Sequence, residues 1–495
     1  MYPLLSTKNI ITFISILCLF WCSTLSCKKE NILTTGGKIE YSVDTLMFDT
    51  VFTAQGSATR SIKIFNRESK PIKLSSLKLK QGSQSDFRLN VNGKPGTAFQ
   101  DIEIAANDSL WVFVAVTIDP TAADNPFVIG DALITTLNGT EYDLPFIAYG
   151  QNAYYIVDST LNTQTWLTNK PYVIISNALI AEGETLTIPA GARIYMHQNS
   201  RLFVNGTLKI NGTQTDSVIF QGDRLDPKVW IGDYIDLAGQ WGGLYFTSTS
   251  KNNTINYCTF KNGGASTAII INGQKQVIPA ATIHLSPDES GGTIPMLKMT
   301  NSIIHTSLGY GIVAYNSSVE VENCRITQCG QENVMLYEGG RYKFYDCTIA
   351  TYGDRYLDHT KNLAFAALNY LPITQTTYQT APLALEVINT LIYGGLETEF
   401  FVDTKPEASA TVLLDHSIIK SKDPIPAFIN AISVINNQDP QFVDIAKSNY
   451  HLLDNSPAIN AGKMIGSINK DLDGVNRPNP PATQPAIGCF EYVTP

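Results

Sequence analysis

Residues 301–350 read NSIIHTSLGYGIVAYNSSVEVENCRITQCGQENVMLYEGGRYKFYDCTIA, and three corners inside this stretch decide the fold. Asn301-Ser302, Asn323-Cys324 and Asp346-Cys347 each join an Asx to a small residue, with Ile303, Ile326 and Ile349 just beyond. The two intervals are 22 and 23 residues. Asn389-Thr390 before Leu391 and His416-Ser417 before Ile418 continue the frame at intervals of 43 and 27, and Tyr257-Cys258-Thr259-Phe260 fits it upstream. A repeat of this length with about three short strands per turn is the pattern of a parallel β-helix, whose coils bury their apolar side chains only by stacking on one another. The small residue turns a corner, the branched residue fills the interior, and the Asx bonds along the turn. The 43-residue interval reads as one coil with an insertion, since residues 353–385 lack the motif.

This frame also places the cysteines. Cys258, Cys324 and Cys347 share a column with Ser302, Thr390 and Ser417, which predicts buried, unpaired thiols rather than disulfide or metal chemistry. No CxxC pair is present.

The flanks of the repeat resemble known proteins. The order 182–192 (EGETLTIPAGA), 202–208 (LFVNGTL), 218–220 (VIF) and 240–246 (QWGGLYF) resembles the first coils of right-handed β-helix proteins of the pectate-lyase-like superfamily. The exit resembles the closing segment called choice-of-anchor Q, through Asp439-Pro440-Gln441-Phe442, Ser456-Pro457-Ala458-Ile459-Asn460-Ala461-Gly462, Asp471-Leu472-Asp473-Gly474 and Ile487-Gly488-Cys489-Phe490. Cys489 stands there where a small residue is usual. The resemblance implies a β-helix over 165–435 with a C-terminal cap over 436–495. Enzymes of that superfamily cleave acidic polysaccharides, but no residue here matches a catalytic motif of a named lyase family.

Before the repeat, residues 36–150 alternate or run apolar in short segments such as Ser61–Phe65 and Leu110–Val116, separated by Asn92-Gly93, Asp119-Pro120 and Asn138-Gly139. Some seven strands in a segment of that size predict an immunoglobulin-like sandwich. The run Ala106-Asn107-Asp108-Ser109-Leu110, the strand ending in Asp119-Pro120 and the closing Ala148-Tyr149-Gly150 resemble Ig-like domains of the abnormal-spindle/Hydin type. The fold class expected is therefore all-β: a sandwich, a linker over 151–164, then a right-handed parallel β-helix.

Residues 1–26 read as a signal peptide. Lys8 precedes an apolar run from Ile10 to Trp21 that is too short to span a bilayer, and small residues follow. Thr24-Leu25-Ser26-Cys27 resembles a bacterial lipobox with Leu one place nearer the Cys than usual, which implies lipidation of Cys27 and an anchor linker over 27–35. The other reading is an ordinary signal peptide cut near Ser26. Either way the body lies outside the cytoplasm, and a lipid places it at the outer membrane or cell surface. The chain carries 35 Lys+Arg against 44 Asp+Glu, a net charge of −9, and its longest basic run is Lys28-Lys29, which argues against a nucleic-acid partner.

Chemistry is sparsely signalled. The six histidines form no HxH or HExxH pair, and no nucleophile elbow or phosphate-binding loop occurs. Asn469-x-Asp471-x-Asp473-Gly474 opens like a calcium loop, but Pro480 replaces its bidentate Glu, so calcium competes there with a plain turn and no other cofactor is expected. The densest mixed patch holds Glu338, Arg341 and Lys343, with Asp354, Arg355 and His359 one coil later. Glu338, Arg341, Asp354, Arg355 and His359 are the catalytic candidates if they converge; otherwise they are solvated turn residues. Tyr352 and Tyr356, in the insertion, are candidates for stacking on sugar faces. The expected role is a lipid-anchored envelope protein, more binder than enzyme, that takes extended glycans or partner proteins on its β-helix. A polysaccharide lyase or glycoside hydrolase is one alternative, and a structural subunit of an outer-membrane assembly another.

Replacing Cys27 by Ser is expected to move the chain from the membrane fraction to the soluble envelope fraction. Unchanged partition together with an unlipidated mature N-terminus overturns the anchor.

Overall fold

The computed structural model describes residues 31–494 apart from 122–123, 226–233, 272–273, 279, 290–292, 355, 375 and 467. The segment read as a signal peptide, 1–26, and Cys27 therefore lie outside the described residues. The chain divides into two compact units, one running to Asp119 and resuming over Phe127–Gly150, the other comprising Pro120–Pro126 and Gln151–Pro495.

The first unit is an antiparallel sandwich of two five-stranded sheets. Alternation in Arg60–Asn66 and Ser109–Val116 turns Ile62, Ile64, Val112 and Val114 inward, where they pack with Leu74, Phe87, Leu133 and Phe146. Ten strands make the two sheets, more than the seven expected, because short edge strands such as Lys94–Gly96 carry little hydrophobic signal.

The second unit is one long parallel stack. It begins with Tyr154–Leu161, pairing with Tyr172–Ile180, so most of the stretch expected as a linker over 151–164 already belongs to the first coil. Three faces follow in every full coil. The first face includes Cys258–Lys261, Ile303–Ser307, Arg325–Cys329, Thr348–Thr351 and Leu391–Gly394. The second includes Arg201–Val204, Gly243–Phe246, Ala281–Leu285, Phe365–Leu368 and Phe400–Asp403. The third includes Asn253–Asn256, Leu297–Thr300, Leu383–Ile388, Ala410–Asp415 and Ile429–Ile432. The long strands Tyr310–Glu322 and Val334–Tyr345 each supply both second and third faces. Inside, like stacks on like: Ile255, Met299, Val321, Phe344, Val387 and Leu414 form one buried column. Burying each such side chain stabilises by about 1.5–3 kcal/mol, which is why the coils hold without disulfides.

The third-to-first corner explains the repeat. Tyr257, Asn301, Asn323, Asp346, Asn389 and His416 all have positive φ, between 43° and 53°, a region Asn and Asp enter most readily. The Asx side chains bond from coil to coil: Asn301 Nδ2 donates to Asn256 Oδ1 at 2.9 Å, Asn323 Nδ2 to Asn301 Oδ1 at 2.7 Å, and Asn389 Nδ2 to Asp346 Oδ1 at 3.0 Å. The small residue that follows does more than save space. The backbone N–H of Cys258 donates to Ser302 Oγ at 3.0 Å, that of Ser302 to Cys324 Sγ at 3.3 Å, and that of Cys347 to Thr390 Oγ1 at 3.3 Å. Each hydroxyl or thiol in turn donates to the carbonyl two residues back, at 2.7 Å from Ser302, 3.1 Å from Cys324 and 3.2 Å from Cys347. Ser, Thr and Cys thus interchange because each can both accept and donate. All five described cysteines are free and buried, and burial pushes every thiol upward.

The segment expected as an end cap, 436–495, does not close the last coil. Beyond Ile435–Asn436 it folds back as a strap along the first face. Tyr450, Leu472, Cys489 and Phe490 pack on Ala350; Leu452, Ala458, Ala486 and Ile487 pack on Leu391, Tyr393 and Ile418. The strap reaches Gln214, whose amide donates to the carbonyl of Asp473. Its pin is Arg477, 2% exposed in its side chain, which pairs with Asp346 Oδ1 and lies 3.2 Å from Glu491 Oε1. Asp346 Oδ2 and Asn323 Oδ1, in adjacent coils, are buried acceptors with no hydrogen-bond partner. Burial raises the Asp346 carboxyl to about 6 against the opposing pull of Arg477, and burial also raises Glu491 and Asp471.

Two outcomes follow for stability. Cys324→Ser should be nearly neutral, whereas Cys324→Ala leaves the Ser302 N–H unpaired and costs about 1–3 kcal/mol in denaturant unfolding; equal effects of the two variants would refute the ladder. Because the folded protein holds the Asp346 proton more tightly than the unfolded chain, stability from this group is full below the ordinary carboxylate pKa and is lost as pH rises through about 6. Urea midpoints should fall from pH 5 to pH 8, with a shallower fall in Asp346→Asn; a flat wild-type profile overturns this.

Candidate functional site

Insertions decide which faces are accessible. Residues 223–242, 262–280 and 352–364 enter at the first-to-second corner, and 286–296 and 369–382 at the second-to-third corner. The expected insertion 353–385 is therefore two, because Phe365–Leu368 between them is a second-face strand with Phe365 fully buried.

On the second face an outward ladder of rings runs Phe203, Tyr245, His284, Tyr315 and Tyr337, with centroids 5.5, 4.9, 5.5 and 5.3 Å apart in succession. These rings turn their faces to one another, so sugar faces find mainly edges to touch. Burial lowers His284 to about 4, which keeps its imidazole neutral near pH 7.

The third face carries a groove of about 280 Å³ lined by Thr293, Pro295, Ser318, Glu320, Arg341, Lys343, Ala384 and Glu386, among others. Its composition follows from register. Lys298, Glu320, Lys343 and Glu386 occupy one row on four successive coils, so their charges alternate in sign. Lys298 Nζ lies 3.7 Å from Glu320 and 3.0 Å from Glu322, and Lys343 Nζ 4.0 Å from Glu320. Glu386 accepts a hydrogen bond from the Tyr345 hydroxyl, and burial followed by this bond raises the Tyr345 phenol. Burial also raises Glu322, against the pull of Lys298 and with a push from Glu320.

Arg341 differs from that row. Its neighbours in register are Ser318 and Ala384, both uncharged, and Ala384 leaves space beside the guanidinium. Its side chain is 47% exposed, and its nearest ion-pair oxygen, Asp288 Oδ2, is 3.6 Å away and also accepts from Ser318 Oγ. A planar donor fork held loosely at the edge of a groove suits a carboxylate, sulfate or phosphate.

Among the described candidates read from the sequence, Arg341 lines this groove and Glu338, Asp354 and His359 do not. Glu338 is 7% exposed, sits at φ 61° ahead of Gly339-Gly340, and accepts from Gln379 Nε2 at 2.5 Å. Asp354 Oδ1 accepts the N–H groups of Tyr356 and Leu357 at 2.7 and 2.9 Å, a turn-forming role. Arg355 lies outside the described residues. His359 Nε2 is 2.8 Å from Glu399 Oε1 with both side chains almost wholly buried, and Glu399 also accepts the N–H groups of Ala364 and Leu396. That pair ties the 352–364 loop to the next coil. Tyr352 meets Phe442 of the strap edge-on at 6.5 Å and is mostly buried, while Tyr356 is half-buried, so neither presents an open ring platform. Tyr370 and Tyr378 likewise pin their hairpin, bonding to Asp403 at 2.8 Å and Glu407 at 2.9 Å. The sequence missed Glu320 and Glu386 because only register makes them neighbours of Lys343.

The calcium-like loop is already spent. Asp471 Oδ1 accepts from the N–H groups of Asp473 and Val475, Oδ2 from that of Glu491, and Asp473 lies 2.6 Å from His451 Nε2. Among the described residues no group of three or more His, Cys, Asp or Glu is arranged to hold a metal.

The family described as the right-handed β-helix region matches residues 281–365, which include Ser318, Glu320, Arg341 and Lys343 of the groove but not Ala384 and Glu386. The long body is a right-handed parallel β-helix. No curated protein matches the chain. Among solved structures it is similar to a family 123 glycoside hydrolase from Clostridium perfringens, at 12% identity over 23% of this chain and 26% of that one, with a TM-score of 0.17. It is also similar to the Salmonella enterica SafA pilin in complex with the SafB chaperone, at 13% identity over 25% and 58% of the two chains and a TM-score of 0.17. The Vibrio cholerae VesB protease matches at 13% identity over 23% and 31%, with a TM-score of 0.16. The chain spans less than two thirds of each of these, and likeness at this level carries no argument about activity.

Proposed function

We propose that the chain is a lipid-anchored protein of a bacterial envelope, displayed at the outer membrane or cell surface, whose β-helix binds an extended anionic glycan along its third face. The observation that carries this reading is Arg341, half-exposed in the groove between the uncharged Ser318 and Ala384, with its ion-pair partner Asp288 Oδ2 as far as 3.6 Å, while Lys343 pairs with Glu320 and Glu386 bonds to Tyr345. The groove crosses successive coils, from Ser318 through Arg341 to Ala384, which suits an extended chain laid across the strands. The lipobox-like Cys27, the Ig-like resemblance of the sandwich and the choice-of-anchor Q resemblance of the strap support the location; in such proteins the sandwich acts as a spacer or contact.

A second reading is favoured by the two carboxylates Glu320 and Glu386 on either side of Lys343, an arrangement open to acid–base cleavage of a glycosidic bond. Against it, both carboxylates have partners in the resting protein.

An array of uronate-bearing, sulfated and neutral glycans tests both. Binding confined to anionic glycans, weakened by salt and reduced about 10- to 100-fold in Arg341→Ala, is expected. No binding, or binding indifferent to Arg341→Ala, overturns the proposal. Chain cleavage that vanishes in Glu320→Gln or Glu386→Gln moves the assignment to the enzyme.

A further inference from the structure

The ring ladder of the second face stops at Phe203. Tyr245 stands on one side of it, with centroids 5.5 Å apart, but on the other side its neighbours in register are Leu179 and then Thr160. Side-chain size thus steps down toward the first coil. At the step lies a cavity of about 320 Å³, floored by Phe203 and Leu179 and bordered by Asp158 and Asn177 at one corner and Asn205 at the other. The first-to-second corner is short in these first three coils, whereas later coils carry the insertions 223–242, 262–280 and 352–364 there. No insertion at its own corner therefore roofs the cavity.

The polar groups around it are only partly spent within the chain. Asp158 Oδ1 accepts the Asn177 N–H at 3.2 Å, and among the described residues the second Asp158 oxygen and the Asn177 carboxamide have no partner. Asn205 Oδ1 accepts the Thr247 hydroxyl at 3.0 Å, which leaves the Asn205 amide NH2 as a donor. Asp158, Thr160 and Asn177 are exposed, while Leu179 and Phe203 are half-buried. Of the side chains lining the cavity Asp158 alone is charged, so no cation there answers a carboxylate or a sulfate.

We propose that this cavity is a binding subsite for a neutral pyranose of a glycan chain, separate from the anionic groove of the third face and independent of it. A pyranose has an apolar C–H face and a rim of hydroxyls, and the cavity shows the same division. Phe203 and Leu179 take the apolar face, the Asp158 carboxylate accepts from neighbouring hydroxyls, and Asn177 and Asn205 bond to hydroxyls further round the rim. Asp158 repels an acidic sugar. A protein surface pressed over the site would strip water from Asp158 and from both carboxamides at once, which is costly unless each is matched.

The test is isothermal titration of the full chain carrying Cys27→Ser with neutral hexasaccharides of glucose, mannose, galactose or xylose. At least one should bind, with an affinity indifferent to salt and to Arg341→Ala. Leu179→Tyr continues the ring ladder over Phe203 and fills the cavity, so it should abolish this binding with an unchanged thermal midpoint. Asp158→Asn keeps an acceptor for the Asn177 N–H but removes the charge, and should weaken binding about tenfold. No binding of any of these sugars overturns the inference, as does binding that Leu179→Tyr leaves intact. Neutral-sugar binding that disappears in Arg341→Ala puts the sugar in the third-face groove and also overturns it, whereas a failure to bind anionic glycans leaves this site standing. If Leu179→Tyr fails to fold, Asp158→Asn decides, and undiminished affinity there overturns the subsite.

Discussion

Parallel, in-register stacking is the constraint on which the rest of the β-helix depends. Each residue lies opposite the residue at the same place one coil away, so whatever a position holds is met by its counterpart. Apolar columns then become continuous, as in the one from Ile255 to Leu414. Like charges would repel at every step, and the row Lys298, Glu320, Lys343, Glu386 avoids this by alternation. Corner residues face a stricter demand. Their backbone N–H groups have no sheet partner, and a column of Ser, Thr and Cys satisfies them without interruption.

Departures from that regularity mark where the molecule has acquired other roles. Asp346 replaces Asn in the corner ladder, and there Arg477 enters from the strap and locks it to the stack. The result is a buried guanidinium among several carboxylates, whose raised protonation ties strap docking to pH. Arg341 departs from the charge alternation: with Ser318 and Ala384 beside it, its guanidinium stands half-exposed at the groove, 3.6 Å from Asp288 Oδ2.

The aromatic side chains show how burial competes with binding. Tyr352 and the hairpin tyrosines are the residue types that stack on sugars, yet each is engaged in holding an insertion down. The second-face ladder spends its ring faces on neighbouring rings. Polar groups that stay accessible lie on the third face, where Thr293 and Pro295 line the groove beside Glu320, Arg341 and Lys343.

The parallel β-helix was legible in one chain because its period is written in residue types that physics restricts locally: Asx for positive φ, a small polar residue for the corner, a branched one for the interior. Asn301-Ser302-Ile303 and Asn323-Cys324-Arg325-Ile326 need no partner to be recognised. The burial and freedom of Cys324 and Cys347 followed from the same column. What needed the tertiary structure was everything set by register between coils or by the path of a loop. Glu338 and Arg341 are three residues apart, yet Gly339 and Gly340 turn one inward and the other to the groove. Glu320 and Glu386 are 66 positions apart in sequence, and each lies opposite Lys343. The strap's path along the first face was likewise invisible, since apolar residues such as Leu472 and Phe490 state that they will be buried but not against what. Periodicity names the face a side chain takes within its own coil; only the folded stack decides which side chains, distant along the chain, share that face.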